Sequence, residues 1–269
     1  MQRFDYQRPA TLAEACAALR ADPEARLLAG GMSLLPTMKL GLATPSCLID
    51  LSRVPDLNGI YADGETLVIG AMACHAEVAS APLVRARLPA LAALAAGIGD
   101  VQVRYRGTLG GALANNDPAA DYPAAALALE ATVVTDRREL PAASFFTDMF
   151  ETALAADEIV TAVRFPCPRR AAYLKLPHPA SRYAIAGVFV ADTAAGPRVA
   201  VTGAGPMVFR AHAIEAALAV DMVPAALADI TIDADELNDD PYASATYRAY
   251  QVGVLARRAV TALYGETGL

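Results

Sequence analysis

The 269-residue chain has no tryptophan, only three histidines and only four cysteines. Cys16, Cys47, Cys74 and Cys167 lie far apart, with no C-x-x-C among them. That spacing argues against structural zinc and against a complete iron–sulfur site on this chain, and each cysteine reads as a small apolar core residue. His75, His178 and His212 are scattered, with no Cys, Ser or acidic partner in a motif, and read as structural. Basic runs are also missing. A formal net charge of −7 and a pI near 5.0 leave no cationic patch for phosphate backbones, so nucleic acid is not an expected partner. Pro89–Gly99 is apolar but too short to span a bilayer, and "MQRFDYQRPATLAEA" has no signal-peptide core. The chain reads as soluble and cytoplasmic. Familiar nucleotide turns are absent too: there is no G-x-x-x-x-G-K-[ST], and "TGAGPM" at Gly203 and Gly205 holds only G-x-G.

With 55% hydrophobic residues against 19% charged, the chain can bury a sizeable core. Thr11 to Glu14 spells a capping box, predicting a helix through about Arg20 that Pro23 ends. "ARLLAG" predicts a short strand. Ser33 reads as the N-cap of a helical turn "LLPTMKL" stopped by Gly41, and "CLIDL" as the next strand, which together suggest a small parallel or mixed sheet. A second unit begins at "TLVIGA". It continues through an apolar helix kinked or broken at Pro89, a helix at "YPAAALALE" and the strands "ATVVTD" and "DEIVTAVRFP". Pro166, Pro168 and Arg169-Arg170 mark a boundary. Beyond it, "AAYLKL", "YAIAGVFVAD" and "PRVAVTGAG" predict strands, followed by helices near Ala211–Ala219 and Ala243–Tyr264.

Two segments stand out, "LLAGGMSLLP" and "GTLGGALANNDPAAD", each placing a Gly-Gly pair before a helix start. Glycine lets a ligand approach the main chain with no Cβ in the way, and successive amides at such a turn can receive phosphate oxygens. The simpler alternative is that each pair makes a tight turn. Lys and Arg are sparse nearby, so a diphosphate would be held by N–H groups and hydroxyls.

"AGGMSLLPTMKL", "RGTLGGALANNDPAADYP" and "AAYLKL…SRYAIAGVFV", in this order and spacing, resemble the FAD-binding medium subunit of molybdenum hydroxylases. This is the family of carbon monoxide and xanthine dehydrogenases, and the likeness runs essentially end to end. The resemblance implies an α+β architecture: a two-subdomain FAD-binding fold of the vanillyl-alcohol-oxidase (PCMH) type over 1–167, with subdomains of about 1–56 and 57–167. A small α+β C-terminal domain over 168–269 follows. It implies non-covalent FAD, with Ala29, Gly30, Gly31, Met32 and Ser33 at the pyrophosphate and Leu27, Leu28 and Leu34 flanking. Thr108, Gly110, Gly111 and Ala112 approach the same diphosphate, with Asn115 within reach. Asp121 matches an acid near the adenosine ribose, Val160 an apolar contact, and Lys175 a basic residue near the flavin.

The resemblance places [2Fe–2S] clusters on a small partner subunit and the molybdenum cofactor on a large one, in a heterotrimer or its dimer. This chain would relay electrons to an external acceptor and carry no catalytic residue or metal of its own. Two departures stand against the family pattern: Met32 occupies a position often held by His or Gln, and "LPHPASRY" after Lys175 is not Arg-rich. Residue by residue, alternatives remain: Asp121 as a helix cap, Arg104 and Arg106 as surface or hinge ion pairs, and Tyr183 as core packing. For the whole chain, the rivals are a self-contained FAD oxidoreductase and a flavin-free assembly subunit.

Overall fold

The computed structural model describes residues 2–265. Its first layer is a three-stranded parallel sheet of β1 (Asp5–Gln7), β2 (Arg26–Leu28) and β3 (Cys47–Asp50), in the order β1-β3-β2. Helix α1 (Leu12–Ala21) begins at its expected cap. Glu14 N donates to Thr11 Oγ1 at 3.2 Å, and the Glu14 carboxylate accepts from Ala10 N at 2.8 Å. Ala15, Cys16 and Leu19 of α1 pack on Cys47, Ile49 and Leu51. Helix α2 (Leu34–Lys39) follows β2. Strand β1 has no signal in the sequence, because it is an exposed three-residue edge that exists only by pairing with β3.

The second layer is a five-stranded antiparallel sheet, ordered β4-β5-β10-β6-β7. It contains β4 (Ile60–Asp63), β5 (Thr66–Gly70), β6 (Thr132–Thr135), β7 (Glu139–Pro141) and β10 (Val160–Pro166). Between β5 and β6 the chain makes α3 (His75–Ser80), α4 (Pro82–Arg87), α5 (Pro89–Ala96), α6 (Val101–Arg104), α7 (Leu109–Asn115) and α8 (Tyr122–Ala128). The apolar helix predicted across Pro89 is broken there. Pro82 and Pro89 each open a helix at its first position, where a missing N–H costs nothing. After β7 come α9 (Ala142–Phe145) and a small hairpin of β8 (Phe146–Asp148) and β9 (Glu151–Thr152).

The third layer is an antiparallel meander of β11 (Arg170–Pro177), β12 (Ala184–Thr193), β13 (Gly196–Thr202) and β14 (Phe209–Arg210). Alternation along β12 and β13 splits this sheet's two faces. Val188, Val190, Val199 and Val201 pack on α10 (His212–Val220) and α11 (Ala245–Ala262). Phe189, Ala191 and Ala200 turn the other way, into a core shared with α5 and α8. That back-to-back packing holds the start of β12 against the second glycine segment, with Ala184 N donating to the Ala119 carbonyl at 3.3 Å. Of the cysteines, Cys16 and Cys47 are buried as expected, whereas Cys74 and Cys167 are only half-buried. Among the described residues, no helix is long and apolar enough to cross a membrane.

Candidate functional site

The two glycine segments meet. A Cβ at Gly30 would collide with the Arg106 carbonyl oxygen and come within 2.7 Å of the Gly107 Cα, and a Cβ at Gly111 would sit 3.5 Å from that of Ala29. Beside this junction lies a cavity of about 820 Å³, within the roughly 300–1,000 Å³ usual for small-molecule and cofactor sites. All of Leu27 to Leu34 line it, as do Thr108, Gly110, Gly111, Ala112, Asn115, Asp121 and Val160. Every sequence-selected residue but Lys175 is therefore on one wall system.

The first segment leaves β2 and bends at Gly31, whose φ of +72° lies in the left-handed region that favours glycine. Among the described residues, no acceptor within the chain takes the amides of Gly30, Gly31, Met32 or Ser33. Ser33 departs from expectation. It stands at the N-cap position of α2 with helical dihedrals, and its hydroxyl caps nothing. The side chain is thereby left available at the cavity wall beside those amides.

The second segment differs from the anion-receiving turn expected of it. Gly110 and Gly111 lie in the first turn of α7, and their amides are already spent. Gly110 N donates to the Ala71 carbonyl at 2.8 Å, and Gly111 N to Thr108 Oγ1 at 3.1 Å. A Cβ at Gly110 would lie 2.5 Å from that of Ala71 and 2.9 Å from its backbone. Close approach of α7 to the end of β5 is what this glycine permits.

Asp121 is 5% exposed and does not cap α8. Its carboxylate accepts a short hydrogen bond from the Tyr173 hydroxyl and one from Lys175 Nζ at 3.0 Å. Burial pushes the Asp121 carboxyl upward, while Lys175 and Tyr173 pull it back. Lys175 is thus behind Asp121 and off the cavity wall. Arg104 donates to the Ile98 and Gly99 carbonyls at 2.9 and 3.2 Å, making no ion pair among the described residues. Neither it nor Arg106 lines the cavity. Tyr183 is half exposed at the cavity mouth, not packed in a core.

Several wall residues carry no sequence signal. Phe150 and Arg182 both hold left-handed φ values, +56° and +61°, at the cavity; such backbone strain in non-glycine residues gathers at ligand clamps. The hairpin bearing Phe150 is tied to the C-terminal cap of α7. Asn116 Nδ2 donates to the Asp148 and Glu151 carbonyls, each at 2.8 Å, and Phe150 N donates to the Asn116 carbonyl. Glu158 accepts from Arg138 Nη2 at 2.7 Å and from Thr135 Oγ1 at 2.8 Å, and Arg138 holds its carboxyl down to about 2. His178 and His212 are structural: His178 Nδ1 accepts from two loop amides, and His212 lies against Glu215. His75, by contrast, is on the cavity wall.

Residues 2–168 match the model of the family described as the FAD-binding domain in molybdopterin dehydrogenase. The chain belongs to this family. Members of the FAD-binding family resemble the protein beyond the matched domain as well. The carbon monoxide dehydrogenase medium chain of Hydrogenophaga pseudoflava is 38% identical, over 98% of each chain. The nicotine 6-hydroxylase medium subunit of Paenarthrobacter nicotinovorans is 39% identical over 72% of this chain and 70% of its own. Among solved structures, carbon monoxide dehydrogenase from Hydrogenophaga pseudoflava superposes with a TM-score of 0.88 over 98% of both chains. Quinoline 2-oxidoreductase from Pseudomonas putida 86 does so with a TM-score of 0.89 at 28% identity, over 98% of both.

Proposed function

We propose that this chain is the electron-transfer medium subunit of a molybdenum hydroxylase and holds one FAD non-covalently in the cavity between the glycine segments. The observation that carries this reading is the convergence of Leu27–Leu34, Thr108, Gly110, Gly111, Ala112, Asn115, Asp121 and Val160 on one cavity. The donor set fits a dinucleotide. Free amides from Gly30 to Ser33 and the uncommitted Ser33 hydroxyl suit phosphate oxygens, and the buried Asp121 carboxylate suits sugar hydroxyls. Arg26 also reaches the wall, but its Nη1 is committed to the Pro23 and Ala25 carbonyls. Bound there, FAD supplies the one- and two-electron exchange that joins iron–sulfur clusters on a small partner to an external acceptor.

The chain's own work is to bind, orient and exclude water. Leu27, Leu28, Leu34 and Val160 supply apolar wall, and Lys175 and Tyr173 hold the Asp121 carboxylate in place. In this reading residues 1–167 form a flavin fold of the vanillyl-alcohol-oxidase type, with subdomains meeting near residue 56. Residues 168–269 form the C-terminal domain closing the cavity through Ser181–Tyr183. A large partner carries the molybdenum cofactor, and the assembly is cytoplasmic.

Purified chain should bind one FAD per polypeptide, released into the supernatant by acid precipitation. Gly111→Val should lose FAD retention while keeping its far-UV circular dichroism, since the new side chain enters the gap between Thr108 and Ala29. Failure of the wild type to bind added FAD would leave the flavin-free assembly reading. Substrate turnover by the isolated chain, without partners, would instead favour a self-contained oxidoreductase.

A further inference from the structure

The second glycine segment ends in two acids, Asp117 and Asp121, and both line the cavity. They differ in how their charge is met. The Asp121 carboxylate is balanced by Lys175 and Tyr173. Asp117 forms no ion pair among the described residues. Burial pushes its carboxyl up, and only the Ala119 amide draws it back.

A half-buried carboxylate without a cation is disfavoured, yet the fold holds this one firmly. Asp117 Oδ1 accepts from Ala119 N at 2.9 Å, which fixes the side chain over its own turn. The three residues that follow are tied to the C-terminal sheet. The Thr202 hydroxyl donates between the Pro118 and Ala120 carbonyls, at 3.0 and 2.6 Å. Gly203 N donates to the Pro118 carbonyl at 2.8 Å, and Ala184 N to that of Ala119.

The other oxygen, Asp117 Oδ2, takes no hydrogen bond among the described residues. It is not sealed in. The unpartnered atoms that the fold shuts away are His75 Nδ1, Asn116 Oδ1 and the Tyr122 hydroxyl, whereas Asp117 Oδ2 keeps accessible surface. Its direction is marked by Tyr183 at the cavity mouth, whose phenol is pushed up by burial and then by the charges of Asp117 and Asp121. The wall thus presents one rigid acceptor whose charge the chain leaves unmatched.

We propose that Asp117 is a ligand-facing residue of the cavity and accepts a hydrogen bond from a sugar hydroxyl of the bound dinucleotide. The inference rests on the FAD reading above and assigns a residue that the glycine segments and Asp121 do not include. A carboxylate repels phosphate oxygens and suits hydroxyl donors, so Asp117 complements the free amides of Gly30 to Ser33, which suit the diphosphate.

The test titrates FAD into the full-length apoprotein, reading flavin fluorescence, alongside thermal unfolding of the same apoprotein. Asp117→Ala should weaken FAD binding roughly tenfold. Asp117→Asn keeps an acceptor for Ala119 N and removes the charge. It should weaken binding about fivefold while leaving the apoprotein as stable as wild type, or more so. Competition by ADP tells which sugar is held. An equal loss of ADP affinity in the variants assigns the hydroxyl to the adenosine ribose, and an unchanged ADP affinity assigns it to the ribityl chain. Wild-type FAD affinity in both variants, at one FAD per chain, would overturn this inference alone. So would an affinity loss in Asp117→Asn matched by lost apoprotein stability, which would mark Asp117 as a turn former. Absence of FAD binding by the wild type would overturn the cofactor reading and this inference together.

Discussion

Gly30-Gly31 and Gly110-Gly111 border the same cavity, yet their backbones meet it with different equipment. The first pair sits in a loop whose amides are free and whose bend depends on a positive φ at Gly31. The second pair is wound into α7, its amides committed to Ala71 and Thr108, and Gly110 is pressed against the β5 end. One dipeptide thus serves two physical ends. In the first segment glycine exposes donors toward a ligand, and in the second it brings chain against chain so that the wall can exist.

That contrast can be broken by substitution, beginning where the effect is greatest. Gly110→Val would drive a side chain into the Ala71 backbone, which cannot move without displacing β5. A loss of more than about 4 kcal/mol is expected, the range reserved for severe core overpacking, seen as failure to show a cooperative urea transition. A well-folded variant would mean that α7 is not tightly seated.

The next largest effect belongs to His75, under the second segment. An unfolded chain protonates an ordinary histidine below about 6.5, whereas burial, helped by Arg104, lowers His75 to about 4. Between those values the unfolded state binds more protons, so stability rises with pH and is lost as pH falls through the window. The full difference is about 3 kcal/mol. Urea titrations from pH 7 to 4.5 should show that slope in wild type and a flatter one in His75→Phe. Equal slopes would assign the acid sensitivity to other groups.

Gly31→Ala addresses the first segment. Placing a Cβ at φ +72° costs about 1–2 kcal/mol, and Leu35 must give way at 2.9 Å. The variant should stay folded and lose FAD affinity, in contrast with Gly110→Val, which loses the fold first.

The smallest effect separates the two hydroxyls. Thr108→Ala removes the N-cap of α7 and should cost about 1–2 kcal/mol. Ser33→Ala removes no cap and should stay within about 0.5 kcal/mol in the apoprotein, measured by denaturant titration under identical conditions. Equal losses would erase the distinction between the segments.

What was legible in the chain was mostly local. The Thr11–Glu14 box set the start of α1, proline set the starts of α4 and α5, and β12 and β13 showed themselves as β-rich runs. The residues that the family resemblance singled out line one cavity, Lys175 excepted. Signals failed where geometry depends on a distant partner. Strand β1 needs β3, and Lys175 faces Asp121 only because β11 belongs to the sheet whose β12 and β13 pack against α8.

The sequence by itself determined the local elements, the family motifs and the sparseness of cations and metal ligands, because caps, prolines and periodic apolar positions act over a few residues. Only the tertiary structure decided which glycine amides stay free, that Ser33 caps nothing, that Asp121 is clamped by Tyr173 and Lys175, and that His75 and Tyr122 share a wall. Each of these depends on which acceptor another segment brings within about 3 Å, and that distance is set by packing between layers far apart in the chain.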